Sequence, residues 1–276
     1  FSNLGRTFKM LHLKAHTAIL KAYLKIMLTY RGMMILHLFR VVLMPLVIGA
    51  AWLSIEKADG NPYENSDYLL YYLLVPLVMN LTNSRSVFRF PVSVRDGTLS
   101  RELIKPYPPL MNIVIESFTN NLQMLLYLVP FTLISVFLFQ SHFDFSFLSY
   151  KMVPISILAI FFGALTRLLI SGSIALTGFW LEDVTTLNLL LNGSIWALLG
   201  GMIIPVATFP EKIRQIAELL PYRYMLSFPI EIFSGRLTTL AIYKGFAVMF
   251  FWIIIFSFTA RFIWKRGIKI YSAYGG

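Results

Sequence analysis

Long apolar runs separated by short polar stretches set the pattern of this chain. Six of the runs approach or exceed the ~20 residues a helix needs to cross a bilayer: roughly 33–54, 68–84, 112–139, 153–180, 187–206 and 239–263. In hydrocarbon every backbone N–H and C=O must be paired within its own segment, so runs this continuous predict helices. A transmembrane barrel needs strands of ~10 residues with alternating polarity, and the sequence lacks that alternation. The expected fold class is an all-α polytopic membrane protein with six transmembrane helices: a bundle over 33–263, preceded by 1–32 and followed by a tail over 264–276.

The polar stretches differ in sign. Residues 1–32 carry Arg6, Lys9, Lys14, Lys21, Lys25 and Arg31 and no acid, while Phe8, Leu11, Ala15, Ile19, Ala22 and Ile26 recur in steps of three and four. This predicts an N-terminal amphipathic helix at the cytoplasmic interface. Segment 55–67 is acidic, with Glu56, Asp59, Glu64 and Asp67 against Lys57. Segment 85–110 is basic, with Arg85, Arg89, Arg95, Arg101 and Lys105 against Asp96 and Glu102, and the tail adds Lys265, Arg266 and Lys269. An even number of spans places both termini and the basic loop on one side, so both termini are expected in the cytoplasm. The connection 207–238 combines Pro210, Pro221 and Pro229 with mixed charges and with Ile213, Ile216, Ala217 and Leu220 at helical spacing. It predicts a proline-bounded helical hairpin at the outer face, between the fifth and sixth helices.

Composition narrows the chemistry. Charged residues make up 13% of the 276-residue chain, against about 25% in soluble domains, and mean hydropathy is +0.70. A net charge of +11 would suggest nucleic acid in a soluble protein. Here the cations flank apolar runs, which suits anionic headgroups, so the expected contact is the lipid bilayer and not nucleic acid. The chain has no cysteine, which excludes disulfides, Cys-ligated zinc and thiol chemistry. The first apolar run has no signal-peptide cleavage pattern after it. No G-x-x-x-x-G-K-[ST] phosphate loop and no H-E-x-x-H occurs. His12 and His16 share a helix face without a third ligand, so no metal site is expected and an interfacial role is favoured. Asn80-Leu81-Thr82 and Asn192-Gly193-Ser194 match the glycosylation pattern but lie in or beside spans, where they read as chance.

Two features carry candidate function. Residues Ser93 to Pro106 predict a short cytoplasmic helix, with Gly97 breaking the chain before it and Pro106 limiting it after. Leu99, Leu103 and Ile104 give it an apolar edge; Arg101, Glu102 and Lys105 give it a polar surface. The residues alone leave two readings open, a solvated connector or a docking knob. The second feature is intramembrane polarity. Arg167 falls near the middle of the fourth span, where an arginine costs about 2.5–3.5 kcal/mol on insertion scales, so it is expected to face the bundle or water. Glu116, Asn120, Gln123 and Tyr127 form one stripe on the third span, which could face Arg167. Packing by interhelical hydrogen bonds is favoured for these residues over a transport-path lining. They form no paired carboxylates or nucleophile set, so the chain is not expected to be an enzyme.

Taken in order, several short motifs resemble the ABC-2 permease family. They are Arg95-Asp96-Gly97-Thr98-Leu99 with Glu102-Leu103-Ile104-Lys105-Pro106, then Phe179-Trp180, Gly201, Ile204-Pro205, Phe209-Pro210, Leu220-Pro221, Phe228-Pro229-Ile230 and Ser234-Gly235. The chain closes on Arg266-Gly267 and Tyr271-Ser272-Ala273-Tyr274-Gly275-Gly276. This is similar to a bacterial branch of about 260 residues with a Tyr-Ser-Ala-x-Gly-Gly-like tail. Lys105 and Tyr222 stand where the family pattern has Arg and Phe.

The resemblance implies that residues 1–276 form a single ABC-2 type transmembrane domain, multi-pass in a bacterial inner membrane. Two such permeases, identical or paralogous, would pair with two ABC ATPase subunits. ATP and Mg would be bound by those ATPases and no cofactor by this chain. Arg95, Asp96, Gly97, Leu99, Arg101, Glu102, Leu103 and Lys105 would form the coupling helix that docks on the ATPase. The 207–238 hairpin would be re-entrant, and the cargo an exported amphiphile such as a lipid, drug, glycoconjugate or peptide. The competing readings are a stand-alone secondary transporter or channel, which needs a coupling-ion site at midplane, and a membrane enzyme.

Overall fold

Apolar runs that must pair their backbone locally give helices throughout. The computed structural model describes Lys25 and residues 31–54, 63–84, 86–105, 109–138 and 151–271, and among these every regular element is helical. In chain order they are α1 (Arg31–Ser54), α2 (Asn65–Leu81), α3 (Ser86–Arg95), α4 (Thr98–Leu103), α5 (Leu110–Leu138), α6 (Met152–Leu176) and α7 (Thr185–Asn188). A π-helical segment, Leu189–Ile195, leads into α8 (Trp196–Leu199); α9 (Glu211–Leu219), α10 (Ser227–Phe233) and α11 (Thr239–Ile270) follow. The predicted interfacial helix over 1–32 lies almost wholly outside the described residues, as do His12, His16, Glu56, Asp59 and residues 272–276.

Among the described residues, three stretches are long and apolar enough to cross a membrane: Ser117–Phe137, Met152–Phe179 and Thr239–Ile270. α11 has 32 residues, roughly 48 Å at 1.5 Å per residue, which exceeds a hydrocarbon core of about 30 Å. The expected tail therefore begins as helix, carried out to Ile270. The fifth expected span differs most. Helix runs from Thr185 only to Leu199, and 200–205 is non-helical. The stop is local: Gly201 has φ 93°, a left-handed conformation, and Tyr71 and Ser227 fill the space a side chain there would need.

α2 is apolar around most of its circumference, and such a helix belongs inside. Tyr68, Leu70 to Pro76, Val78 and Asn80 are all buried. It joins Ile170 and Ile174 of α6, Trp196 of α8, and Met225, Leu226 and Ile230 in one core cluster. α1 and α5 pack on α2; α3, α10 and α11 pack on α6. Gly163 of α6 lets the turn at Arg223–Met225 come close, because a Cβ there would sit 2.7 Å from the Tyr224 carbonyl oxygen. Pro45, Pro76, Pro91 and Pro130 lie inside helices, as neighbouring helices allow in membranes.

Candidate functional site

The joint between α3 and α4 is built around one glycine. Gly97 has φ 70°, caps α4, and turns the chain sharply after the exposed Arg95–Asp96 pair, 3.8 Å apart. Thr98 Oγ1 donates back to the Ser93 carbonyl at 3.4 Å. The turn points Leu99 inward, where it is fully buried with Phe90, Ala175 and Leu176. An aromatic knot closes over it. Phe179 lies edge-on to Phe90 at 5.3 Å between ring centroids, to Trp264 at 5.9 Å and to Tyr271 at 6.3 Å. Gly267 leaves room on α11 for the Phe179 ring, which a Cβ there would strike. Tyr271 also reaches α4 directly. The Ser100 backbone N–H donates to its hydroxyl at 3.2 Å, and the two hydroxyls lie 3.0 Å apart.

The outer surface of α4 is the reverse of this. Arg101, Leu103, Ile104 and Lys105 are exposed, Ile104 to 85%, and Glu102 is half-buried. The expected apolar edge of Leu99, Leu103 and Ile104 is therefore corrected. With α4 ending at Leu103, Leu99 anchors the helix, while Leu103 and Ile104 join the cations on the open side. Arg101, Glu102 and Lys105 border a groove of about 470 Å³ with Arg89, Val92 and Thr98. A smaller groove beside it brings Arg95 near Glu182 and Asp183. The Asp183 carboxylate is held below its ordinary pKa by accepting from the Thr185 backbone N–H at 2.7 Å, with Thr186 assisting.

A family model described as ABC-2 family transporter protein matches residues 61–275. The chain belongs to that family. Its members are membrane subunits that are not themselves catalytic and that partner with an ATPase subunit. No curated protein and no solved structure matches the chain.

The intramembrane polar residues of this permease fall into two separate groups. Arg167 of α6 is buried and turns toward the π-helical segment: its guanidinium lies 3.9 Å from the centre of the Trp196 ring, and Nη2 donates to the Asn192 carbonyl at 3.4 Å. Asn192 Nδ2 in turn donates to Ser171 Oγ and Asn188 Oδ1. Among the described residues, no hydrogen bond joins Arg167 to Asn120 or Gln123 of the α5 stripe. Asn120 and Gln123 are buried; among the described residues Asn120 Nδ2 and both polar atoms of the Gln123 side chain have no hydrogen-bond partner. Tyr127 packs beside Val41, Val42, Met124 and Leu128. The Glu116 side chain lies outside the described residues. The polar link of α5 to α2 is Asn121. Its Nδ2 donates to the Leu81 and Asn83 carbonyls, and its own carbonyl accepts from Asn80 Nδ2 at 3.1 Å. Asn80 and Asn192 are thus consumed by packing.

At the opposite end of α11 from the α4 joint, the permease holds a charged network that sequence reasoning missed. Pro210 caps α9, Pro221 follows it, and Pro229 sits in the first turn of α10, where its missing N–H costs nothing. Between them Arg223 pairs with Glu231 at 2.6 Å and Glu218 at 2.9 Å, with Glu231 almost fully buried. Burial opposes the Arg223 charge, yet Glu231, by charge and by hydrogen bond, and Glu218 raise its pKa above the ordinary guanidinium value. Arg236 pairs with the buried Asp67 at the start of α2 and covers the Tyr63 ring. Tyr72 and Trp52 both donate to the Ile203 carbonyl, at 2.7 and 2.9 Å, and Tyr71 donates to that of Gly201 at 2.7 Å. The acids and cations were visible in the sequence one by one. The pairing of Asp67 with Arg236, from distant parts of the chain, was not.

Proposed function

We propose that this chain is the membrane-spanning half of an ATP-driven exporter and that α4 is the coupling helix through which a separate ATPase moves it. The observation that carries this reading is the two-sidedness of α4: Leu99 fixed in the core and Leu103, Ile104, Arg101 and Lys105 presented outward. A connector helix needs no exposed apolar tip, whereas a knob entering a groove on another protein does. Motion of the ATPases on ATP binding passes from α4 through Phe90, Phe179 and Tyr271 to α6 and α11. Two copies, identical or paralogous, complete the transporter with two ATPases, and the cargo is an amphiphile that the apolar walls admit.

In the same reading α1, α2 and the α7–α8 stretch complete six crossings with the three long helices. Both termini lie in the cytoplasm of a bacterial inner membrane, and the α9–α10 hairpin re-enters from outside. The test is co-purification with the ATPase and measurement of cargo-stimulated hydrolysis. Arg101→Glu with Leu103→Asp is expected to abolish assembly or coupling while the permease still inserts and extracts as folded protein. Normal coupling in that variant overturns the assignment.

A further inference from the structure

The last ten residues of α11 run past the hydrocarbon. Between Lys244 and Arg261 the helix carries no charge; from Arg261 to Ile270 it carries Arg261, Lys265, Arg266 and Lys269 and no acid. At 1.5 Å per residue that basic stretch spans about 15 Å, enough to run through an interfacial layer of about 5–8 Å and beyond it. On its outward side lies a groove of about 570 Å³ lined by Trp180, Phe262, Ile263, Arg266, Lys269 and Ile270. Trp180, Phe262 and Ile270 are each half exposed or more. Arg266 lies over the Phe262 ring, 4.4 Å from its centre, with its charge at the groove and no carboxylate in the lining. An apolar floor with two cations at its rim, beside an interfacial tryptophan, matches a lipid with acyl chains below and a negative headgroup above.

We propose that this groove is a binding site for one anionic phospholipid. Its place gives the lipid a second role. Trp180 stacks edge-on to Phe179 at 5.9 Å, and Phe179 is the ring that closes over Leu99 of α4. A lipid seated against Trp180 and α11 braces the same knot that holds α4. That effect on coupling rests on the docking reading above; the binding itself does not.

Binding is tested on the permease alone, in nanodiscs of phosphatidylcholine containing either brominated phosphatidylglycerol or brominated phosphatidylcholine. The Trp180 contribution to fluorescence is isolated by difference with Trp180→Phe. The expected result is that brominated phosphatidylglycerol quenches Trp180 at about ten-fold lower mole fraction than brominated phosphatidylcholine. Arg266→Gln with Lys269→Gln narrows this to within about two-fold, and Arg266→Lys with Lys269→Arg keeps it. Both side chains are exposed, so folding is not at stake, and raising salt on the unaltered protein must weaken the preference in the same direction. Equal quenching by the two lipids, or a preference that survives neutralisation, overturns the proposal. So does a neutralised pair that keeps its lipid preference but loses the ATPase, which would make the groove part of the protein interface. Normal coupling in Arg101→Glu with Leu103→Asp would overturn the docking reading and leave the lipid result unaffected, so the two readings fail separately.

Discussion

Gly97 shows how much one residue decides. Its left-handed backbone costs a residue with a Cβ about 1–2 kcal/mol, and the turn it makes sends Leu99 inward. Gly97→Ala is therefore expected to destabilise the fold by that amount, read as a lowered thermal midpoint, and to reduce coupled ATPase activity, both measured in detergent with the partner present. Glu231 is the stronger case. Converting it to Gln leaves Arg223 buried with only Glu218 for charge balance, and breaking a buried pair costs about 3–5 kcal/mol. Glu231→Gln is expected to unfold at clearly lower temperature than the unaltered chain. The double change Arg223→Met with Glu231→Leu is expected to recover most of the loss, since no buried charge remains. If the single and double variants melt alike, the pair is not what holds the hairpin.

Among the elements, the long helices were readable because their signal is local: continuous apolar residues with no polar alternative for the backbone. α6 and α11 sit within a few residues of their expected bounds at the N-terminal side, and α11 overran at the C-terminal side because a basic helix tip is no less helical for leaving the membrane. The fifth span was overestimated because hydropathy continues through Gly200 to Val206, whereas the backbone stops at the positive φ of Gly201. The hairpin prolines marked the ends of α9 and the start of α10, but nothing in the spacing connects Asp67 with Arg236 or Phe90 with Phe179. Those contacts depend on which helices are neighbours, and periodicity does not carry that information. Asn121 is the clearest example. It lies beside Asn120 in sequence, yet it was not part of the stripe that could face Arg167, and it donates to the Leu81 and Asn83 carbonyls at the end of α2. Asn121→Ala removes two hydrogen bonds at about 0.6 kcal/mol each, so a loss near 1 kcal/mol is expected in thermal unfolding, with Asn120→Ala costing less.

For the whole molecule, the lack of cysteine makes the proposed topology directly testable. Lys105 and Glu211 are both exposed, one beside α4 and the other at the start of α9. Lys105→Cys is expected to resist a membrane-impermeant maleimide in intact cells and to react after permeabilisation, and Glu211→Cys to react in both. The reverse pattern would invert the molecule and place α4 where no ATPase can meet it.

The π-helical turn between α7 and α8 has a consequence for how this stretch tolerates change in length. A π turn accommodates one residue more than an α turn, so Leu189–Ile195 stores a slack residue in the middle of an otherwise regular rod. Deleting Gly193, whose position faces open space, would let the segment close into α-helix without breaking it. The rod would survive, and everything beyond it would keep nearly the same phase relative to Asn188, because the deleted residue is the one the wider turn had absorbed. Trp196 would stay over Arg167, whereas a residue deleted from a regular α turn would rotate the indole by about 100° and strand the guanidinium it now covers.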